Sequence, residues 1–231
     1  MLKIVVLDSG FGGELFADKL RDELGIVEII RVIDWRNADK YLHKKYEART
    51  TAEAAMRPYL NKVDLIVVTN YYLATTSLKY FRHKYPKQKF VGISLVFPST
   101  FIDRSTVVLT TQAMSKTIKY RRYVSKLHRH LITMVLDEWL EKIDDGELTE
   151  DEIRNVMLEM MTTKKIVPSE IILACAHFND IKETLQKVFN NNIKIHDSFN
   201  DLYNDTCKAL KIRGAIKKTK AAGGAAFKMG R

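Results

Sequence analysis

The sequence predicts an α/β protein built on parallel sheets, and three observations carry that expectation. Short runs rich in Ile and Val alternate with helix-period segments from the N-terminus to about residue 210, the pattern of repeated β-α-β units. Three polar segments each begin where one of those runs ends. They are Asp8-Ser9-Gly10-Phe11-Gly12-Gly13 after Ile4 to Leu7, Thr69-Asn70 after Leu65 to Val68, and Ala174-Cys175-Ala176-His177 after Ile171 to Leu173. Parallel sheets gather ligand sites at C-terminal strand ends, where the strand fixes a side chain and the loop leaves it exposed, so one cleft can collect all three. Finally, 231 residues with 46% hydrophobic content and only four prolines suffice for one large or two small well-cored domains.

Taken in order, a strand over 3–7 leads through the glycine-rich turn into a helix over 13–24. A strand over 27–33 and a helix over 46–61 precede the strand 65–68, four consecutive apolar residues. A helix over 74–85 and a strand over 90–94 complete a first group, and Phe97-Pro98-Ser99-Thr100 is the best internal break. The second group opens on the β-branched strand 106–110, followed by one long helix over 115–142 and another over 149–163. There Thr149 and Glu152 form a Thr-x-x-Glu capping box. A strand over 171–174 leads to a helix over 179–189, where Asn179 precedes Ile181, Leu185 and Val188 at helical spacing. A strand over 193–196 and a helix over 199–210 close the pattern. Beyond Arg213 the chain is low in complexity and without apolar period, and it is expected to be a mobile basic tail.

Charge and cysteine content limit the function classes. The net charge of +10 looks like a nucleic-acid signal, but residues 208–231 hold eight Lys/Arg and no acid, which leaves 30 basic against 28 acidic residues elsewhere. Nucleic acid is therefore a disfavoured partner, with the basic tail as its first route. A basic run with two tyrosines, Lys116, Lys119, Tyr120, Arg121, Arg122, Tyr123, Lys126 and Arg129, reads as a solvated face at mixed helical phases. No apolar run approaches the ~20 residues that span a bilayer, so the expectation is a soluble, cytoplasmic protein without membrane partners. Cys175 and Cys207 are too few for a disulfide framework. Cys175 and His177 make at most half a metal site, and His128 and His130 do not supply the other half, so no metal is expected.

The glycine loop allows a sharp strand-to-helix turn and close backbone approach, and the helix that follows offers N–H groups to an anion. It lacks the Lys-Ser/Thr of a P-loop, and its third glycine is misplaced for a dinucleotide fingerprint. Cys175 is suited to proton transfer, because a thiol with a reference pKa of about 8.5 can serve as acid or base near neutrality, and His177 stands two residues away.

In these three motifs the chain resembles the aspartate/glutamate racemase superfamily, its glutamate racemase branch above all. That family carries Asp-Ser-Gly-x-Gly-Gly, Cys-Asn-Thr and Gly-Cys-Thr-His segments, and two cysteines face opposite sides of the substrate α-carbon. Here the first is intact, the second reads Thr69-Asn70-Tyr71 and the third Ala174-Cys175-Ala176-His177, so Thr69 replaces the first catalytic cysteine. The stretch from Thr106 to Thr111, with Thr117 and Tyr120, is similar to a further family segment, and Tyr41-Leu42 is the nearest counterpart of its Pro-Tyr-Gly.

The resemblance implies two similar α/β subdomains related by a pseudo-twofold, with the site in the cleft between them and the last helix returning to the first half. The expected boundaries are 1–97 plus 199–213, 98–198, and a tail from 214 to 231. It implies a cofactor-independent racemase abstracting the α-proton of a small acidic L-amino acid, aspartate or glutamate. Cys175 with His177 would serve one face, and Thr69 with Asp8 the other. Ser9, Gly10, Tyr41, Asn70, Tyr71 and Thr111 are the implied substrate-binding residues. Tyr71 and Ala176 stand where the family has carboxylate-binding threonines, a loss of about 1.5–3 kcal/mol for each missing hydrogen bond to a charged group. The resemblance also admits a homodimer. The competing reading is a racemase-fold protein that has lost chemistry and acts as a binding module, through its basic tail among other surfaces.

Overall fold

The computed structural model describes residues 1–25, 27–95, 105–126 and 131–212, with the side chain of His43 excepted. The expected break at Phe97 to Thr100, the residues His128, His130 and Arg129, and the segment from Arg213 onward lie outside them.

Among the described residues, eight parallel strands form two four-stranded sheets with one topology used twice. In the first, β1 (Leu2–Asp8) lies between β2 (Val27–Ile33) and β3 (Leu65–Val68), and β4 (Phe90–Gly92) lies outside β3. In the second, β5 (Thr106–Thr110) lies between β6 (Leu131–Val135) and β7 (Glu170–Leu173), and β8 (Lys194–His196) lies outside β7. The orders 2-1-3-4 and 6-5-7-8 match position for position. The four strands at the two sheet centres are covered on both faces and so carry continuous apolar or β-branched runs; Ile4 to Leu7 and Leu65 to Val68 are fully buried.

The helices are α1 (Phe11–Leu24), α2 (Lys40–His43), α3 (Lys45–Met56), α4 (Tyr71–Lys84), α5 (Gln112–Ser115), α6 (Ile118–Lys126), α7 (Glu138–Asp144), α8 (Glu150–Lys164), α9 (Lys182–Val188) and α10 (Phe199–Leu210). The capping box at Thr149 and Glu152 is present in full. α3 stops at Met56, short of the expected 61, because Pro58 offers no N–H and its ring clashes with an α-helical carbonyl four residues earlier; a 3₁₀ turn over Arg57–Tyr59 follows. Asn179 does not cap the helix after it. Its side chain donates to the Ala176 carbonyl within a 3₁₀ turn, and α9 starts at Lys182.

The largest correction is the long helix expected over 115–142. The chain instead folds there as α5, α6, the strand β6 and α7. Leu131-Ile132-Thr133-Met134-Val135 pairs in register along β5, from Thr106↔Leu131 to Thr110↔Val135. It is a half-exposed edge strand, so its apolar pattern is broken and short, and periodicity alone cannot separate it from a helix segment.

α10 packs on β3 and β4, so both termini of the described fold belong to the first sheet. The hydroxyl of Ser198, just before α10, donates to the carbonyl of Ser94, just after β4. Among the described residues no helix is long and apolar enough to cross a membrane.

Candidate active site

The C-terminal edges of the two sheets meet. Gly12, in the first turn of α1, touches the loop after β7 so closely that an added Cβ would lie 2.7 Å from the Ala176 carbonyl carbon. At Gly10 a Cβ would collide with the His177 ring. Both positions therefore require glycine for close approach between the halves.

Between the edges lies a cavity of about 60 Å³. The first half contributes Asp8, Ser9, Asn70 and Tyr71 to its wall, and the second contributes Thr111, Asp144, Cys175 and His177, with Leu42 and Tyr72 among the residues that close it. Cys175 is only 8% exposed, and its Sγ lies 3.6 Å from Nδ1 of His177. The other imidazole nitrogen, Nε2, lies 3.2 Å from Oδ1 of Asp144, which also accepts the N–H of Phe11 at 3.1 Å. The result is a Cys175–His177–Asp144 relay whose last member is pinned to the start of α1. The anion received at the glycine loop is thus the chain's own carboxylate, and Gly10 contacts His177 instead of lining the cavity.

Burial alone would push the His177 imidazole down. The Asp144 hydrogen bond, aided by Cys175 and by the charge of Asp8, outweighs it and holds the group well above its usual 6.5. Burial pushes the Asp8 carboxyl up, against the opposing charge of His177 and the polar groups of Thr69, Ser9 and Asn70. Oδ1 of Asp8 accepts the Ser9 N–H at 2.7 Å, whereas buried Oδ2 has no hydrogen-bond partner. Such an oxygen costs about 1–3 kcal/mol until it is protonated or meets a donor.

Thr69 is fully buried and does not reach the cavity wall; its hydroxyl donates to the Leu7 carbonyl at 3.2 Å, behind Asp8. Asn70 caps α4 through Oδ1 and donates one Nδ2–H to Ser9 Oγ at 2.9 Å. Ser9 therefore keeps its own hydroxyl proton to offer. Thr111 caps α5 with its oxygen, which leaves its proton available in the same way. Tyr71 donates to the Leu173 carbonyl at 3.1 Å, and burial raises its phenol far above the ordinary value. Tyr41 is fully buried off the cavity wall with its hydroxyl on Asp34, and Leu42 is the residue that faces the cavity.

Sequence reasoning missed Asp144, because the helix that carries it was read as ending earlier. A signal existed. An aspartate in a last helical turn faces the negative end of the helix dipole, where cations are favoured, and such a mismatch calls for a partner elsewhere.

The relay predicts a pH dependence of stability. A folded-state pKa raised above the unfolded one gives stabilisation that is complete below about 6.5 and is lost as pH rises through the folded value. Asp8, also raised, acts with the same sign from about 3.8 upward. Melting temperature should therefore fall as pH is raised from 6.5 into the alkaline range. His177→Gln should flatten that part of the profile, and a wild-type profile already flat there would remove the raised imidazole.

No family model matches the chain. Among curated relatives, the glutamate racemase of Clostridium botulinum is 25% identical over 199 residues, covering 82% of this chain and 76% of its own. That of Lachnospira eligens is 23% identical over 222 residues, covering 92% and 83%. Among solved structures, Escherichia coli glutamate racemase in complex with L-glutamate and the activator UDP-MurNAc-Ala superposes with a TM-score of 0.81 at 19% identity, over 92% of this chain and 84% of that one.

Proposed function

We infer that this chain, a member of the aspartate/glutamate racemase superfamily, is a cofactor-independent racemase acting on a small acidic amino acid, aspartate or glutamate. One observation carries the reading: Cys175 and Asp8 enter a single cavity from the two facing sheets, and His177 stands within proton-sharing reach of Cys175.

Racemisation needs a base on one face of the α-carbon and an acid on the other. In this proposal Cys175, relayed through His177 to Asp144, removes the α-proton of the L-isomer. Asp8, kept toward its protonated form by burial, returns a proton to the opposite face. Thr69 supports Asp8 from behind, because its hydroxyl is far too weak an acid to act alone and does not reach the cavity. The free hydroxyl protons of Ser9 and Thr111 supply donors for the α-carboxylate in place of those missing at Tyr71 and Ala176. The unpartnered Oδ2 of Asp8 is the oxygen that would carry the proton to be returned, since Oδ1 accepts the Ser9 N–H.

The test is α-proton exchange in deuterated water with both enantiomers of aspartate and glutamate, which registers half-reactions that racemisation assays miss. L-isomers should exchange faster than D-isomers at limiting concentration, while the equilibrium mixture stays racemic. A folded protein silent toward all four would replace this reading with the non-catalytic binding module, which the small cavity and the committed Tyr71 hydroxyl favour.

A further inference from the structure

A second cavity of about 1110 Å³ adjoins the first and shares its Leu42 and Tyr72 walls. It runs between the start of α3 and the α5–α6 segment. Six cations line it, namely Lys44, Lys45, Lys116, Lys119, Arg122 and Lys126, and no acidic side chain does so among the described residues. On α6, Lys119, Arg122 and Lys126 are spaced three and four apart and so share one face; Arg121, outside that face, donates to the Lys116 carbonyl at 3.0 Å. The mixed phase read from sequence thus resolves into one sorted face. Among the described residues Lys44 pairs with Glu47, and the other five cations have no carboxylate partner. The floor is apolar and largely buried at Leu95, Ala113 and Tyr123.

This charge is segregated rather than inherited from composition, since outside residues 208–231 bases and acids nearly balance. Unpaired cations in one concavity repel one another and focus a positive field on it. A volume just above the ~300–1,000 Å³ of small-molecule sites separates this groove from a flat solvated face. An acidic amino acid carries too little negative charge to engage six cations, whereas adjacent phosphates match Lys point charges and a guanidinium fork.

We propose that the groove between α3 and α5–α6 binds a small molecule bearing two or more linked phosphates, with its uncharged body on the apolar floor. The proposal does not rest on racemase activity.

Calorimetric titration of the full chain with ATP and with pyrophosphate, at low and at physiological salt, tests it. Both should bind with sub-millimolar affinity at low salt and weaken as salt rises. Lys119→Ala with Arg122→Ala should weaken both by about tenfold or more. Lys208→Ala on α10 should leave binding unchanged, as should Cys175→Ser, which separates this site from the catalytic reading. Failure of both ligands to bind below millimolar concentration would overturn the proposal. So would binding indifferent to the double substitution, or binding that disappears when residues 214–231 are removed. A single-stranded oligonucleotide that binds through the groove while ATP and pyrophosphate do not would assign it to a macromolecule and also overturn it.

Discussion

Cys175→Ala should abolish α-proton exchange from L-aspartate and L-glutamate while leaving the fold in place. A positioned acid–base group contributes about 10²–10⁴ in rate, so the remaining exchange should lie at least two orders below wild type. The side chain lost is small and its removal leaves no charge stranded in the core. The cost in stability should therefore stay near the ~1 kcal/mol typical of a point mutant, visible as a shift of a few degrees in thermal melting. Exchange measured by NMR in deuterated water and melting by circular dichroism read the two quantities separately. A folded Cys175→Ala protein that exchanges within a few-fold of wild type would take the thiol out of the mechanism. Iodoacetamide should give the same answer chemically, reacting at Cys175 faster than at Cys207, whose thiol is pushed up by burial, and being slowed by substrate.

Asp8→Asn should divide the two half-reactions. The amide matches the carboxyl in shape but carries no transferable proton, so exchange from D-substrates should fall by about 10²–10⁴ while exchange from L-substrates, begun at Cys175, falls much less. Stability should be nearly unchanged at acidic pH, where the buried carboxyl is already protonated, and the part of the wild-type decline that sets in from about 3.8 upward should disappear, while the part above about 6.5 that His177 carries remains. Thr69→Val keeps the volume behind Asp8 and removes only its hydroxyl; its effect should be well below that of Asp8→Asn. Equal loss from both enantiomers in Asp8→Asn, or a larger loss in Thr69→Val, would return the second face to Thr69.

Much of the fold was legible because its main strands are buried on both sides. Runs such as Leu65 to Val68 admit little besides a central parallel strand, and Thr149 with Glu152 announces a helix start chemically. β6 was not legible, since a half-exposed edge strand between two helices carries neither alternation nor a continuous apolar run. In the candidate site, the residues that share a cavity and were readable from their place at strand ends are Asp8, Ser9, Asn70, Cys175 and His177. Asp144 was not readable, because it acts through the fold: only the meeting of α7 with α1 brings its carboxylate to His177 and to the Phe11 N–H. Likewise the exposed cations of α6 show as a set only once α3 supplies the opposite wall.

Both ends of the described chain lie on the first sheet, which makes the second sheet a loop-out between two crossings, after β4 and after β8. The bond from Ser198 to the Ser94 carbonyl clasps those crossings side by side. At the opposite rims the halves are also joined by the Phe11 N–H to Asp144 bond and the Tyr71 hydroxyl to Leu173 bond, so any swing about the Ser94–Ser198 line has to release both. The proposed catalytic groups sit on those facing rims, and since about 60 Å³ would not hold an amino acid, the expected cost of admitting one is the breaking of these two bonds, which re-form in the same alignment on closing.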